Sequence, residues 1–371
     1  LSNSELKERL ADAVGLLRIK GIGAGRYKRL IRAFGNPTRV FEASISEIES
    51  VSGISRTLAS EIKQGHDPAA AREIAARIVQ VGWSVAFLED DHYPHLLQQI
   101  HDAPPILFWQ GEPIENAEGT VAIVGTRNAT EKGRIFARKL AMELAQAGIC
   151  VVSGMAEGID AAAHRGALDS GGRTAAVWGT SLDIVYPPAN RQLAEEIRTR
   201  GVVYSEYLPG TRPDRSTFPE RNRVISGLSS GVVVVEAGQK SGALITAETA
   251  LSQGRELFAV PGSPDARMSL GANELIRSGA RLTTSVEDIF SELPRLKGEV
   301  AARRLTDMSN LTDAEKNIAN LLVGDGLQLD QLSRSASLPI DETMELLLAL
   351  ELKGIVKELA GKRFILSDQP T

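Results

Sequence analysis

Three glycine-bearing segments in this chain follow short apolar runs, and each carries groups suited to holding an anion. The run VAIVG (121–125) leads into Gly125-Thr126-Arg127-Asn128-Ala129-Thr130, and a helix-period stretch begins almost at once. A strand end, a small loop and a helix N-terminus at one point present backbone N–H groups and a favourable dipole to a phosphate. Arg127 adds a bidentate charged donor, and Thr126 and Thr130 add hydroxyls. The loop matches neither G-x-G-x-x-G nor G-x-x-x-x-G-K-[ST], so it is neither a dinucleotide fingerprint nor an ATP loop. The run ICVVS (149–153) leads into Ser153-Gly154-Met155-Ala156-Glu157-Gly158, where Gly154 and Gly158 let the backbone approach a ligand closely. Asp160 and His164 follow at i, i+4 and share a helix face. Without a Ser, Cys or metal partner the pair reads as a structural hydrogen bond before it reads as an acid–base couple. The third run, VVVV, ends at Glu236, and Ser241-Gly242 precede a helix bearing Thr246 and Glu248. Glu236 and Glu248 keep open a site that cleaves a nucleotide with a carboxylate.

A fourth segment complements these loops. Arg212, Arg215, Arg221 and Arg223 are interleaved with Phe218 and Asn222, against only Asp214 and Glu220. Arginines take phosphates, a ring stacks on an unpaired base and an amide positions it, which is the chemistry of single-stranded nucleic acid. His92, His95 and His101 lie in an irregular stretch whose spacing is a weak metal signal. No metal and no nucleotide cofactor is expected.

The elements that must position these groups are strands and crossover helices. VAFL (85–88), ILFW (106–109), TAAVW (174–178), VVY (202–204) and LFAV (257–260) join the three runs above, with helix-period stretches between most of them. Phe136, Leu140 and Leu144 recur every fourth residue and would bury one helix face. Continuous apolar strands separated by helices predict an α/β fold, a Rossmann-like parallel sheet covered on both faces. Ligands of such sheets bind at the carboxyl ends of the strands, where the glycine loops fall.

The chain has 371 residues, 43% hydrophobic and 24% charged, with a net charge of −5. That is the balance of a globular protein of two or three domains. An acidic chain is a poor general polyanion coat, so any nucleic-acid contact must be a local patch. One cysteine, Cys150, excludes an intramolecular disulfide framework and suits a reducing compartment. The absence of a long uncharged run and of a signal-peptide pattern in LSNSELKERL leads us to expect no membrane and a cytoplasmic location.

Two flanks complete the layout. From Ala13 to Phe41 the chain holds Arg18, Lys20, Arg26, Lys28, Arg29, Arg32 and Arg39 with no acidic residue. Gly21-Ile22-Gly23 and Val51-Ser52-Gly53-Ile54 punctuate short helices there. The pattern suits either a phosphate-holding helical hairpin or a protein–protein module. Beyond a basic linker, Thr312 with Glu315 reads as a capping box. Helices at 328–336 and 341–353, the second stopped by Gly354, and two strands around a glycine turn make a winged-helix layout. Its third helix opens Asp341-Glu342-Thr343-Met344-Glu345, which argues against ordinary major-groove reading and for a partner-binding or degenerate winged helix. The expected boundaries are 1–64 helical, 65–295 sheet domain, 296–308 linker and 309–371 winged helix.

Taken together, VAIVGTRNAT, VVSGMAEGIDAAAH, YPPAN, SEYLPGTRP, FPERNRVISGL, VVEAGQKSGALITA, GRELFAVPGS and GANELIRSGA resemble, in order and spacing, the DNA-processing protein A (DprA/Smf) family. The resemblance runs from about 70 to 295, and Tyr93-Pro94 resembles the family's lead-in to its sheet. The flanks resemble modules attached in many members, a SAM-like or helix-hairpin-helix domain and a winged helix. The resemblance implies a non-catalytic protein that binds single-stranded DNA, protects it in natural transformation and loads the RecA recombinase onto it. It also implies work beside single-strand binding protein and a homodimer formed through the sheet domain. Gly125, Thr126 and Arg127 match the family's Gly-Ser-Arg phosphate loop, with Thr126 keeping the hydroxyl. Phe218, Arg221, Asn222 and Arg223 match its Phe-Pro-x-Arg-Asn-Arg stretch, and Arg215 matches a basic residue common just before it. The DNA-contacting set expected is thus Gly125, Thr126, Arg127, Thr130, Ser153, Gly154, Gly158, Arg215, Phe218, Arg221, Asn222, Arg223, Ser241 and Gly242. The alternative is a nucleotide hydrolase cleaving nucleoside monophosphates on a similar sheet. A transcription regulator acting through the winged helix is a third reading.

Overall fold

The computed structural model describes residues 3–115, 119–296, 311–322, 326–353, 355–359 and 362–366. The linker expected at 296–308, apart from its first residue, and the stop expected at Gly354 lie outside the described residues. Nine strands form one sheet: β1 (Ser84–Phe87), β2 (Ile106–Gly111), β3 (Thr120–Val124), β4 (Cys150–Ser153), β5 (Thr174–Val177), β6 (Val202–Ser205), β7 (Gly231–Val234), β8 (Glu256–Ala259) and β9 (Arg281–Leu282). Their order is β1-β2-β6-β5-β4-β3-β7-β8-β9. The seven strands from β6 to β9 are parallel, whereas β2 runs antiparallel to both β6 and β1. The sequence pattern anticipated eight of these strands and a parallel sheet, and the antiparallel edge has a simple cause. Residues 88–105 connect β1 to β2, and their one helix is the four-residue His95–Gln98. A parallel return is usually made by a full crossover helix, which this connection lacks. The missed strand, β9, is two residues long and exposed, so it carries no apolar run.

The chain steps outward from β3 through β4 and β5 to β6, then returns to the other side of β3 with β7, β8 and β9. The topological switch point therefore lies between β3 and β7. Strands β3 to β7 are buried along their full length, the pattern of a sheet covered on both sides. Alternation sorts the two cores. Ala175, Val177, Val202 and Tyr204 join Val224 and Ile225 of helix Thr217–Gly227 and Ala243, Ala247 and Ala250 of helix Gly242–Ser252. Ala176 and Val203 face the opposite core, with Leu193 and Ile197 of helix Arg191–Arg200.

That second core is continuous with the N-terminal helices. Leu10 and Val14 of helix Asn3–Leu17, Tyr27 and Leu30 of helix Ala24–Phe34, and Ala71, Ala75 and Ile78 of helix Pro68–Gln80 belong to the same cluster as Phe108 and Trp178. The helical layer thus runs on to residue 80, past the boundary expected at 64, because helix Pro68–Gln80 packs on helix Asn3–Leu17. Polar ties reinforce it. Arg9 pairs with Asp90 at 2.7 Å, Arg77 with Asp183 at 2.9 Å, and Lys28 Nζ reaches the carbonyls of Gln98 and Ile100 at 3.5 and 3.4 Å. Arg26 donates to Gly21 O at 2.7 Å and to Gly53 O at 3.2 Å, bridging the two Gly-Ile turns. Two members of the basic run are thereby engaged inside the protein.

Residues 311–366 form a separate unit with helices Asp313–Leu321, Leu329–Ala336 and Ile340–Leu352. A three-stranded antiparallel sheet, β10 (Leu327–Gln328), β12 (Arg363–Leu366) and β11 (Val356–Leu359) in that order, completes the winged helix. The capping box forms as the spacing predicts: Thr312 N–H donates to Glu315 Oε2 at 2.8 Å and Glu315 N–H to Thr312 Oγ1 at 3.3 Å.

Helix Glu131–Gln146 and helix Ile159–Asp169 touch through Gly166, where an added Cβ would stand 2.1 Å from the Arg138 carbonyl oxygen. Backbone on both sides cannot yield cheaply. Gly166→Ala is expected to lower stability by at least ~2 kcal/mol. Gly171→Ala, at φ +77 with open space around it, should cost only about 1 kcal/mol. Urea unfolding midpoints of the two variants, read side by side, test this ranking.

Candidate nucleic-acid interface

The carboxyl end of β3 and the starts of helices Thr217–Gly227 and Gly242–Ser252 enclose a cavity of about 300 Å³. Its wall includes Gly125, Thr126, Arg127, Asp160, Phe218, Arg221, Asn222, Ser241, Gly242 and Thr246. Eight of the fourteen residues expected to contact DNA thus converge on one point, the switch point at which open α/β sheets bind ligands.

The loop donors have partners within the protein. Thr130 donates its N–H to Glu236 Oε2 at 2.8 Å and its hydroxyl to Glu236 Oε1, while Thr126 N–H donates to the Glu236 carbonyl at 2.7 Å. Glu236 therefore supplies the anion at the N-terminus of helix Glu131–Gln146, the place the sequence pattern offered to a phosphate. Asp160 does the same for the neighbouring loop, accepting from the N–H groups of Gly125, Gly154 and Ala156. Neither Glu236 nor Glu248 lines the cavity, so its carboxylate is Asp160. Burial pushes that carboxyl up to about 6, with the Arg221 charge and the three N–H donors pulling the other way. Gly158 holds the two loops together. At φ +83 it needs the left-handed region, and a Cβ there would stand 2.4 Å from Thr126 O.

The three arginines assigned to the DNA backbone take three different places. Arg221 is buried and donates to the carbonyls of Gly154 and Val177, and to Asn222 Oδ1 at 3.2 Å. Desolvation brings its guanidinium down to about 10, with Asp160 opposing the fall. Arg223 leaves the cavity for the other side of its helix, where it pairs with Glu206 and, at 3.4 Å, with Asp102. Arg127 carries no side-chain ion pair or hydrogen bond among the described residues, and its Cζ lies 5.1 Å from the centre of the Phe218 ring. Arg215 is exposed on the approach to the helix. Helix Gly242–Ser252 opens at Ser241, whose Oγ accepts from Ala243 N–H at 3.3 Å, and with open space at Gly242 this helix N-terminus faces the cavity.

Ser153 and His164 lie beneath this surface. Ser153 Oγ donates to Ile123 O at 2.6 Å. Thr174 Oγ1 donates to Val151 O, so His164 Nδ1–H donates to Thr174 Oγ1 at 2.7 Å. Burial drives the imidazole down to about 3, which keeps it neutral, and its role is structural. The sequence reading missed Tyr186. Its ring stands 5.5 Å from that of Phe218 and is 36% exposed, which extends the aromatic surface beside Arg127. A Tyr-Pro-Pro turn gives no periodic signal, and only the fold brings it to residue 218.

A family model described as DNA recombination-mediator protein A matches residues 84–294, and one described as the DprA winged helix domain matches residues 305–362. Protein Smf of Synechocystis is 33% identical over 383 residues, covering 94% of this chain and 96% of its own. The DNA processing protein DprA of Streptococcus pneumoniae is 45% identical over 203 residues, 55% of this chain and 72% of its own. The X-ray structure of DprA from Streptococcus pneumoniae superposes with a TM-score of 0.66 at 36% identity, over 79% of this chain and 98% of that one. A Helicobacter pylori DprA structure, described for its single-stranded DNA binding mode, superposes with a TM-score of 0.52 at 30% identity, over 58% and 96%. Matched by that model over most of its sheet domain, and one-third identical to a relative along nearly its whole length, the chain belongs to the DNA-processing protein A (DprA/Smf) family.

Proposed function

We propose that this protein binds single-stranded DNA at the switch-point cavity, protects incoming strands in natural transformation and loads the RecA recombinase onto them. One observation carries the reading: an arginine without an ion-pair partner among the described residues lies over an aromatic ring at the mouth of a cavity floored by a buried arginine. Arg127 holds the backbone, Phe218 and Tyr186 stack on splayed bases, and the N-terminus of helix Gly242–Ser252 and Asn222 position the strand between them. Paired bases cannot reach such a surface, so duplex binds less well. The binding mode named for the Helicobacter pylori relative supports the same assignment. The protein acts without catalysis in this reading. The reading is supported by the place of the two carboxylates the hydrolase alternative named: Glu236 is engaged with Thr130 and Glu248 lies outside the cavity. Among the described residues no helix is long and apolar enough to cross a membrane. We place the protein in the cytoplasm as a homodimer, working beside single-strand binding protein, with the flanking modules as auxiliary domains.

Labelled oligo-dT anisotropy across a salt series tests the site. Arg127→Ala should weaken binding and flatten the dependence of log K on log salt by about 0.7, because one fewer phosphate is neutralised. An unchanged slope would take Arg127 out of the interface and reopen the hydrolase reading.

Phe218→Ala should cost ~1–3 kcal/mol of affinity at constant slope, and Tyr186→Ala should add a loss of the same kind, because stacking releases no counterions. If both variants bind like wild type, the rings serve only to pack the loop.

Asp160 makes binding pH-dependent. Its carboxyl is raised by burial to about 6, so above that pH its charge offsets Arg221 and below it the cavity gains positive potential. Affinity for oligo-dT should rise a few-fold as pH falls through 6, and Asp160→Asn should flatten the profile. The folded state holds this proton more tightly than the unfolded chain, so Asp160's contribution to stability falls as pH climbs from the ordinary carboxyl range to about 6.

A further inference from the structure

The winged helix carries a surface that the single-strand reading leaves unused. Helix Ile340–Leu352 buries Thr343, Leu347 and Leu350 against its own domain. Met344 packs at the edge of that domain's core, and one and two turns further on Leu348 and Leu352 carry the same stripe out to solvent, 56% and 80% exposed. Asp341 and Glu345 flank that stripe on one side and Glu351 on the other, all three exposed. The helix holds no Lys or Arg. Lys353, the next residue, is tied to Glu315 Oε1 at 2.6 Å. In DNA-reading winged helices this third helix enters the major groove. Here it would set four carboxylates, with Glu342, against phosphate.

We propose that this face docks a basic amphipathic helix of a partner protein, its apolar stripe seated on Leu348 and Leu352 and its lysines or arginines on Asp341, Glu345 and Glu351. Charge selects this occupant over the others. Duplex DNA is repelled. A second copy of the chain, paired through the same patch about a two-fold axis, would bring like carboxylates together. Exposed leucines between rows of one charge are the helix-in-groove arrangement, in which apolar anchors set affinity and rim charges set partner choice.

The test uses the full chain and a labelled synthetic peptide of leucine and lysine at helical spacing, with a scrambled peptide of the same composition as control. The ordered peptide should bind and the scrambled one should not. Leu348→Ser with Leu352→Ser should weaken binding about tenfold, as should Glu345→Lys with Glu351→Lys, while oligo-dT binding and the thermal melt stay unchanged. All four side chains are exposed, so the variants should fold. Equal binding of the two peptides, or wild-type affinity in both double variants, would overturn the proposal. So would loss of duplex binding or of self-association in the leucine variant, which would assign the face to DNA or to a second copy. Because oligo-dT binding is read separately, failure here is distinguishable from failure of the single-strand site.

Discussion

Two carboxylates organise the edge of the sheet that carries the switch-point cavity. Glu236 crosses from the end of β7 to the start of the helix after β3, and Asp160 gathers the N–H groups of the loops after β3 and β4. Each provides inside the protein the negative charge that a helix N-terminus or a glycine loop otherwise takes from a ligand. The loops are thereby set in place without DNA, and Arg221 is held by the carbonyls of Gly154 in the loop after β4 and of Val177 at the end of β5 as a fixed positive floor. Preorganisation of this kind lowers the ordering cost of binding. It leaves Arg127 and the aromatic surface beside it as the groups that the proposed single-strand reading assigns to the strand.

The same economy of charge shows how an acidic protein could present the local positive patch that the proposed function needs. Many arginines in the sheet domain are tied to carboxylates or carbonyls, as Arg223 is to Glu206 and Arg138 to Asp169. Attraction is local to the switch-point mouth. The N-terminal helices follow this rule too. Arg26 and Lys28, which read in sequence as members of a basic stripe, stitch turns and layers together. The third helix of the winged unit extends it further, since it carries carboxylates and no Lys or Arg on a groove-reading scaffold.

Much of the fold could be read from residue types. The apolar strand runs, the glycine loops at their ends and the capping box at Thr312 are local signals, because burial on both faces and helix initiation depend on residues close in sequence. The antiparallel β2 was less legible, since strand direction depends on whether the connection holds a full crossover helix and on which edge remains free. Strand β9 was not legible at all at two residues.

At the site, the sequence by itself determined which chemistries converge: an arginine loop, an Arg-Phe-Asn helix and glycine turns at strand ends, all of which the sheet topology must bring to one edge. Only the tertiary structure decided which of those groups remain available. Arg127, Arg221 and Arg223 look equivalent in a string of letters. The first stands over a ring at the cavity mouth, the second is buried and the third is paired on the far side of its helix. They differ because a helix turns about 100° per residue and because partners such as Glu206 and Asp102 arrive from distant segments. Tyr186 joined the aromatic surface, and Glu236 was taken up by Thr130, for the same reason. Contacts between residues far apart in the chain are set by packing, and no spacing rule encodes them.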